Sequence, residues 1–161
     1  MKQKIVWKFT NKRELTASEF VRYFEKKVFA TIRKFGMLPG DRIFKLSGTG
    51  INFSVLKHIL QKKFEVKKGK DFSSENLSQI AEEIFENVLK GKFNIKGLKP
   101  EELKAPLYFL SDAEVEVYAS LCKIKGRKRK RNKKIQLLFS RFMKKNPDLE
   151  RCVVKGWGQM K

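Results

Sequence analysis

The chain has 161 residues, 41% of them hydrophobic and 12% aromatic, and its 38 Lys and Arg outnumber 17 Asp and Glu for a formal net charge of +21. Fourteen Phe, two Trp and three Tyr supply enough apolar area for one packed domain and exclude a chain disordered throughout. No apolar run reaches the ~18 residues of a membrane span, the start MKQKIVWKFT lacks a secretory pattern, and two cysteines without a Cys-x-x-Cys pair exclude a disulfide scaffold. A reducing, cytoplasmic setting with no membrane partner is expected.

In chain order, Lys4 to Phe9 is β-prone, with Ile5, Trp7 and Phe9 alternating against Val6 and Lys8. A helix follows: Thr16 and Glu19 have capping-box spacing, Phe20, Phe24, Val28, Ile32 and Phe35 recur at helical intervals, and Gly36 is placed to stop it. Its other faces carry Arg22, Lys26, Lys27, Arg33 and Lys34. Arg42 to Leu46 reads as a short strand, Ser47-Gly48-Thr49-Gly50 as a glycine turn, and Val55, Leu56, Ile59 and Leu60 as the buried face of the next helix. Backbone amides of such a turn, with the helix N-terminus behind it, can cradle an anion; the alternative is that the turn only redirects the chain.

His58 has no second ligand or nucleophile at a telling spacing, which favours a structural or surface role. Residues Lys67 to Ser74 read as a connection. A helix is expected from about Asn76 to Lys90 on Leu77, Ile80, Ala81, Ile84, Val88 and Leu89, stopped by Gly91. Ser111 and Glu114 open another helix, whose inward face is Val115, Tyr118, Ala119 and Cys122, so Cys122 reads as a small core residue. The last expected helix runs from about Lys134 to Lys145 on Ile135, Leu138, Phe139, Phe142 and Met143, and Asn146-Pro147 ends it.

The charge is unevenly distributed. Residues 1–60 hold 13 basic and 4 acidic side chains, residues 61–122 hold 10 and 11, and residues 123–161 hold 15 and 2. The densest stretch is Lys123 to Lys134, where Lys123, Lys125, Arg127, Lys128, Arg129, Lys130, Arg131, Lys133 and Lys134 leave only Ile124, Gly126 and Asn132 uncharged. Such a run alone fits a solvated loop or a localisation signal as well as a binding site. Together with a basic N-terminal third it has the footprint of a phosphate-backbone binder. The candidate RNA-binding residues are therefore those nine cations together with Arg22, Lys26, Arg33 and Lys34 of the first helix. Trp7, Trp157 or exposed Phe side chains are candidate stacking platforms.

Four stretches, in order, resemble the tRNA 2-thiolation branch of the PP-loop ATPases, the cytosolic thiouridylase type. They are Tyr23 to Val28 with Thr31 to Leu38; Asp41 to Gly48 at the place of the PP-loop strand; Asn76-Leu77, Ala81-Glu82 and Asn87 to Gly91; and Pro106-Leu107 with Glu114 to Ala119 and the Asn146-Pro147 end of the terminal helix. The resemblance implies an α/β fold, a reduced PP-loop (adenine nucleotide alpha hydrolase-like) domain with a small, mostly parallel sheet and about five helices. It divides residues 1–161, as one domain, into an N-terminal strand and basic helix (1–40), a core (41–122), a basic loop (123–134) and a C-terminal helix and tail (135–161).

The departures are equally specific. The family loop Ser-Gly-Gly-Lys-Asp-Ser is here Ser47-Gly48-Thr49-Gly50-Ile51-Asn52, so the lysine and aspartate positions hold Gly50 and Ile51 and the phosphate loop is vestigial. The family's His-Asn-Leu-Asp-Asp has become Glu75-Asn76-Leu77-Ser78-Gln79; its N-terminal zinc ligands would fall near Thr16 and Glu19; and the middle segment that carries its catalytic cysteines is expected to be deleted between about Phe64 and Ser74. Adenylation needs charge at the phosphates and sulfur delivery needs a thiolate or cluster. No catalytic residue, metal site or cofactor is therefore expected. The expectation is a non-catalytic RNA-binding protein for tRNA or ribosomal RNA, with the ribosome or an active thiolation subunit as candidate protein partners. The alternatives are a ribosome-associated structural protein, an inactive subunit of a thiolation enzyme, or a minimal ATP-dependent tRNA-modifying enzyme.

Overall fold

A computed structural model describes residues 3–159. Strands β1 (Ile5–Lys8) and β2 (Glu14–Thr16) form an antiparallel hairpin that pairs Trp7 with Leu15 and Lys8 with Glu14. Its connection closes through the Phe9 amide, which donates to the Arg13 carbonyl at 2.8 Å. Helix α1 (Ala17–Lys34) starts where expected: the Glu19 carboxylate accepts from the Thr16 amide at 3.1 Å and from its hydroxyl at 2.9 Å. Phe20, Phe24, Val28 and Ile32 line its buried face. Each such side chain stabilises the fold by about 1.5–3 kcal/mol relative to exposure. Trp7 and Phe9 close over this face, with the Trp7 ring 5.4 Å from Phe20.

Strand β3 (Ile43–Leu46), helix α2 (Gly50–Leu60) and strand β4 (Glu65–Lys68) make a parallel crossover unit in which Phe44 pairs with Val66 and Leu46 with Lys68. The expected connection from Lys67 to Ser74 thus begins inside a strand, and Phe72 adds a further parallel bridge to Leu46. Val55, Leu56, Ile59 and Leu60 are fully buried, as the periodicity predicted. Tyr118 of α5 (Asp112–Leu121) stacks on Phe24 at 4.4 Å, tying α1 and α5 into the same core, and His58 packs edge-on to Tyr118.

A second apolar cluster joins α3 (Leu77–Leu89), α6 (Lys133–Met143) and α7 (Leu149–Gln159) through Leu77, Ile80, Ile84, Ile135, Phe139, Val154 and Trp157. Helix α7 occupies what reads in sequence as a tail, and the four-residue α4 (Pro100–Leu103) lies between α3 and α5. The five expected helices correspond to α1, α2, α3, α5 and α6. The α/β fold is as predicted, with its short strands in two pairs, one of them parallel. Trp157 is 9% exposed inside the second cluster and so presents no free face as a stacking platform, whereas Trp7 is half-buried against α1. Among the described residues no helix is long and apolar enough to cross a membrane.

Glu114 links the two regions. It is fully buried, accepts a hydrogen bond from the Tyr23 hydroxyl at 2.6 Å, and pairs with Arg151 of α7 at 3.0 Å. Lys27 donates to the same hydroxyl at 3.2 Å, which draws this cation of α1 into the network.

Candidate nucleic-acid interface and the glycine-turn cleft

Strand β3 ends at Leu46, and Ser47 to Gly50 lead directly into α2, as the strand–turn–helix pattern predicts. The turn is pinned from two sides. The Ser47 amide donates to the Phe72 carbonyl at 2.7 Å, and the Ser74 hydroxyl donates to the Ser47 carbonyl at 2.9 Å. A cleft of about 880 Å³ opens over it, lined on one wall by Ser47 to Asn52 and Ser54, on another by Ser73, Ser74, Glu75 and Gln79, and on the third by Gly126 to Lys130. The glycine turn and the centre of the basic run, 79 positions apart between Gly48 and Arg127, therefore line one cleft.

The basic segment crosses the turn in direct backbone contact. The Ile51 amide donates to the Arg127 carbonyl at 2.8 Å, so an amide of the kind that would hold a phosphate oxygen is already taken by the chain itself. Gly50 sits at φ +81°, and a Cβ there would stand 2.7 Å from the Arg127 carbonyl oxygen. A lysine cannot occupy this position without moving the basic segment. Two of the groups with which the resembling family holds phosphates are therefore not on offer here: the lysine position is Gly50, and the Ile51 amide is occupied.

The run itself divides into two groups. Lys123, Lys125, Arg127, Lys128, Lys130, Lys133 and Lys134 are exposed. Lys128 makes only a surface pair with Glu116 at 3.4 Å. Arg129 is different: its side chain is 14% exposed and enters between Asp112 and Glu82. Its Nε and Nη2 donate to the Asp112 carboxylate at 3.1 and 2.8 Å, and its Nη1 donates to Glu82 at 2.8 Å. Arg131 also pairs with Asp112, and its Nε lies 3.5 Å from Glu82. These two expected RNA-binding residues are thus paired with carboxylates of the chain itself, Arg129 largely buried and Arg131 at 30% exposure.

The carboxylates are fixed in turn. Asn76, the N-cap of α3, is buried and donates to Asp112 at 2.8 Å; the Ser78 hydroxyl accepts from the Asp112 amide at 2.9 Å and donates to Glu150 at 2.7 Å. Burial opposes ionisation of Asp112, but the hydrogen bonds and charge of Arg129, with Asn76 and Arg131, overcome it and hold the carboxyl below its usual range. Burial would lower the Arg129 pKa, and its two carboxylates outweigh that and keep it charged. Burial pushes the Glu150 carboxyl up, with Asp112 and Glu82 adding repulsion.

Of the remaining predicted cations, Arg22 and Lys26 line a second basic groove of about 550 Å³ with Arg13 and Lys27, whereas Arg33 and Lys34 are exposed in the last turn of α1. The structure therefore does not gather all thirteen candidates into one patch. Sequence reasoning missed Glu82 and Asp112 as partners of the run. The available signal was compositional: they are carboxylates in the one region, residues 61–122, where acidic side chains about match basic ones in number.

No protein-family model matches the chain, and no curated protein matches it. A solved structure with a similar fold is the U34-tRNA thiolase NcsA from Methanococcus maripaludis with its [4Fe-4S] cluster, at a TM-score of 0.68 and 13% identity, with 93% of this chain and 81% of that chain covered. The two chains share a fold at a great distance in sequence.

Proposed function

We propose that the protein is a non-catalytic RNA-binding protein built on a PP-loop-like scaffold, and that it holds structured RNA, tRNA in the first place, through phosphate contacts in the cytoplasm. The observation that carries this reading is the exposure of seven cations along 123–134 on a segment anchored at its centre. Phosphate contacts are assigned to those seven and to Arg22, Lys26, Arg33 and Lys34, while Arg129 and Arg131 hold the segment in place. The similar fold of a tRNA thiolase supports tRNA over ribosomal RNA. The charge density alone would suit either.

The non-catalytic part of the proposal rests on the residues present. Iron–sulfur clusters of that enzyme's kind are held mainly by cysteine thiolates, and this chain has two cysteines, Cys122 half-buried after α5 and Cys152 exposed on α7. Among the described residues no group of three or more His, Cys, Asp or Glu could hold a metal ion. Two separated cysteines do not supply the thiolate set of such a cluster.

The test is the salt dependence of RNA affinity. Neutralising Arg127, Lys128 and Lys130 together lowers the slope of log K against log salt by about 2–3, since each phosphate contact contributes roughly 0.7–0.9. An unchanged slope removes the segment as a phosphate contact. Saturable ATP binding with release of AMP or pyrophosphate in the presence of tRNA would instead establish the enzyme reading.

A further inference from the structure

The basic segment is fixed at two points that flank Lys128. On one side the contact is backbone against backbone: besides the hydrogen bond from Ile51 to Arg127, a Cβ on Gly126 would stand 2.8 Å from the Ile51 Cα and 3.0 Å from its nitrogen. That approach is closer than any residue but glycine allows. On the other side the Arg129 guanidinium is held by Asp112 and Glu82. Between and around these anchors Lys125, Arg127, Lys128 and Lys130 face solvent.

A run of like charges resists ordering, both by mutual repulsion and by the loss of backbone entropy at every residue fixed. Here an internal carboxylate pair and a glycine turn supply the compensation, and they do so without RNA. We propose that the glycine-turn cleft is a socket for the chain's own basic segment, and that docking there presets a rail of cations at a fixed spacing for an RNA backbone. The inference rests on the RNA-binding reading and adds Gly126 and Arg129 to it as positioning residues. A rail ordered before binding does not bear the ordering cost during binding, which favours tight, shape-dependent contact over loose polyelectrolyte attraction. It also takes the Ile51 amide, which is then not free to hold a phosphate oxygen.

Gly126→Ala in the full chain tests this, because it displaces the segment without altering any charge. The expected result is RNA affinity weaker by roughly tenfold, as the segment must then be ordered on binding, together with loss of hydrogen-exchange protection at the Ile51 amide. Affinity within twofold of the wild type would overturn the preset rail even if that protection were lost. The wild-type protein supplies a measurement that does not depend on the variant's folding: the Ile51 amide is protected without RNA and stays so when tRNA or millimolar ATP is added. Free exchange of that amide in the unbound wild type would overturn the socket. Failure of the wild type to bind RNA would sink the RNA reading instead, and the exchange measurement would still decide whether the segment is docked.

Discussion

Replacing Arg129 by Met removes the guanidinium and keeps most of the side chain's length. The substitution abolishes four hydrogen bonds, three to Asp112 at 2.8–3.1 Å and one to Glu82 at 2.8 Å, at a site where the three side chains are 11–15% exposed. Removing one partner of a buried ion pair typically costs about 3–5 kcal/mol, because the surviving charge stays buried. Arg131 remains beside both carboxylates, so the lower end of that range, about 3 kcal/mol, is expected. For a chain of this size each kcal/mol lowers Tm by about 2–4 °C, which predicts a drop of about 6–12 °C. Urea unfolding followed by the fluorescence of Trp7 and Trp157 measures it directly. Because part of the cost comes from leaving Glu82 under-neutralised, the double variant R129M/E82Q costs at least about 1 kcal/mol less than the two single changes combined. A loss below about 0.5 kcal/mol for R129M, the range of ordinary surface changes, with no coupling to Glu82, would refute the anchored segment.

Other expectations follow from the same contacts. Asp112 ionises more readily in the folded protein than in the unfolded chain, so its stabilising contribution is present above its ordinary value of about 3.8 and is lost as pH falls through the depressed folded value; Asp112→Asn should flatten the acid limb of a Tm-against-pH profile. Glu150 has the opposite sign. Its raised carboxyl makes the folded state bind a proton more tightly, so stability falls as pH rises from about 4.5 through the raised value, and Glu150→Gln should be more stable than the wild type at pH 7 but not at pH 4. Trp157→Phe tests burial against stacking: it should lower Tm modestly and leave RNA affinity within twofold, whereas a large affinity loss at unchanged Tm would make Trp157 a base platform. Magnesium and ATP together should leave Tm unchanged, since a ligand of the folded state raises it by mass action; a concentration-dependent rise would show a working nucleotide site.

Much of the fold is legible in local signals. Helices α1 and α5 announce themselves by capping boxes, and α3 by an Asn cap, helical spacing and Gly91 at φ +74° after its end. Strand β4 is not legible, because Val66 is its one apolar residue and its pairing to β3 is made across the whole of α2. Helix α7 carries Leu149, Val153 and Trp157 at helical spacing, yet Pro147 before it and Gly156 and Gly158 within it read as breakers. Its place is decided by packing on α3, which buries Val154 and Trp157. The site shows the same limit. Along the sequence Arg129 looks like each of its basic neighbours, and only the fold brings Asp112, 17 positions away, and Glu82, 47 positions away, to its guanidinium. Local chemistry identified the cations and the glycine turn. That they lie in one cleft depends on long-range contacts that no local pattern encodes.

The central claim is that the protein holds structured RNA. Crosslinking RNA to it in its native cells, followed by sequencing of what is covalently attached, tests this most directly. The account predicts strong enrichment of tRNA that is lost when Arg127, Lys128 and Lys130 are neutralised together. Recovery of no RNA above background, with the protein folded and its Ile51 amide protected, would contradict it.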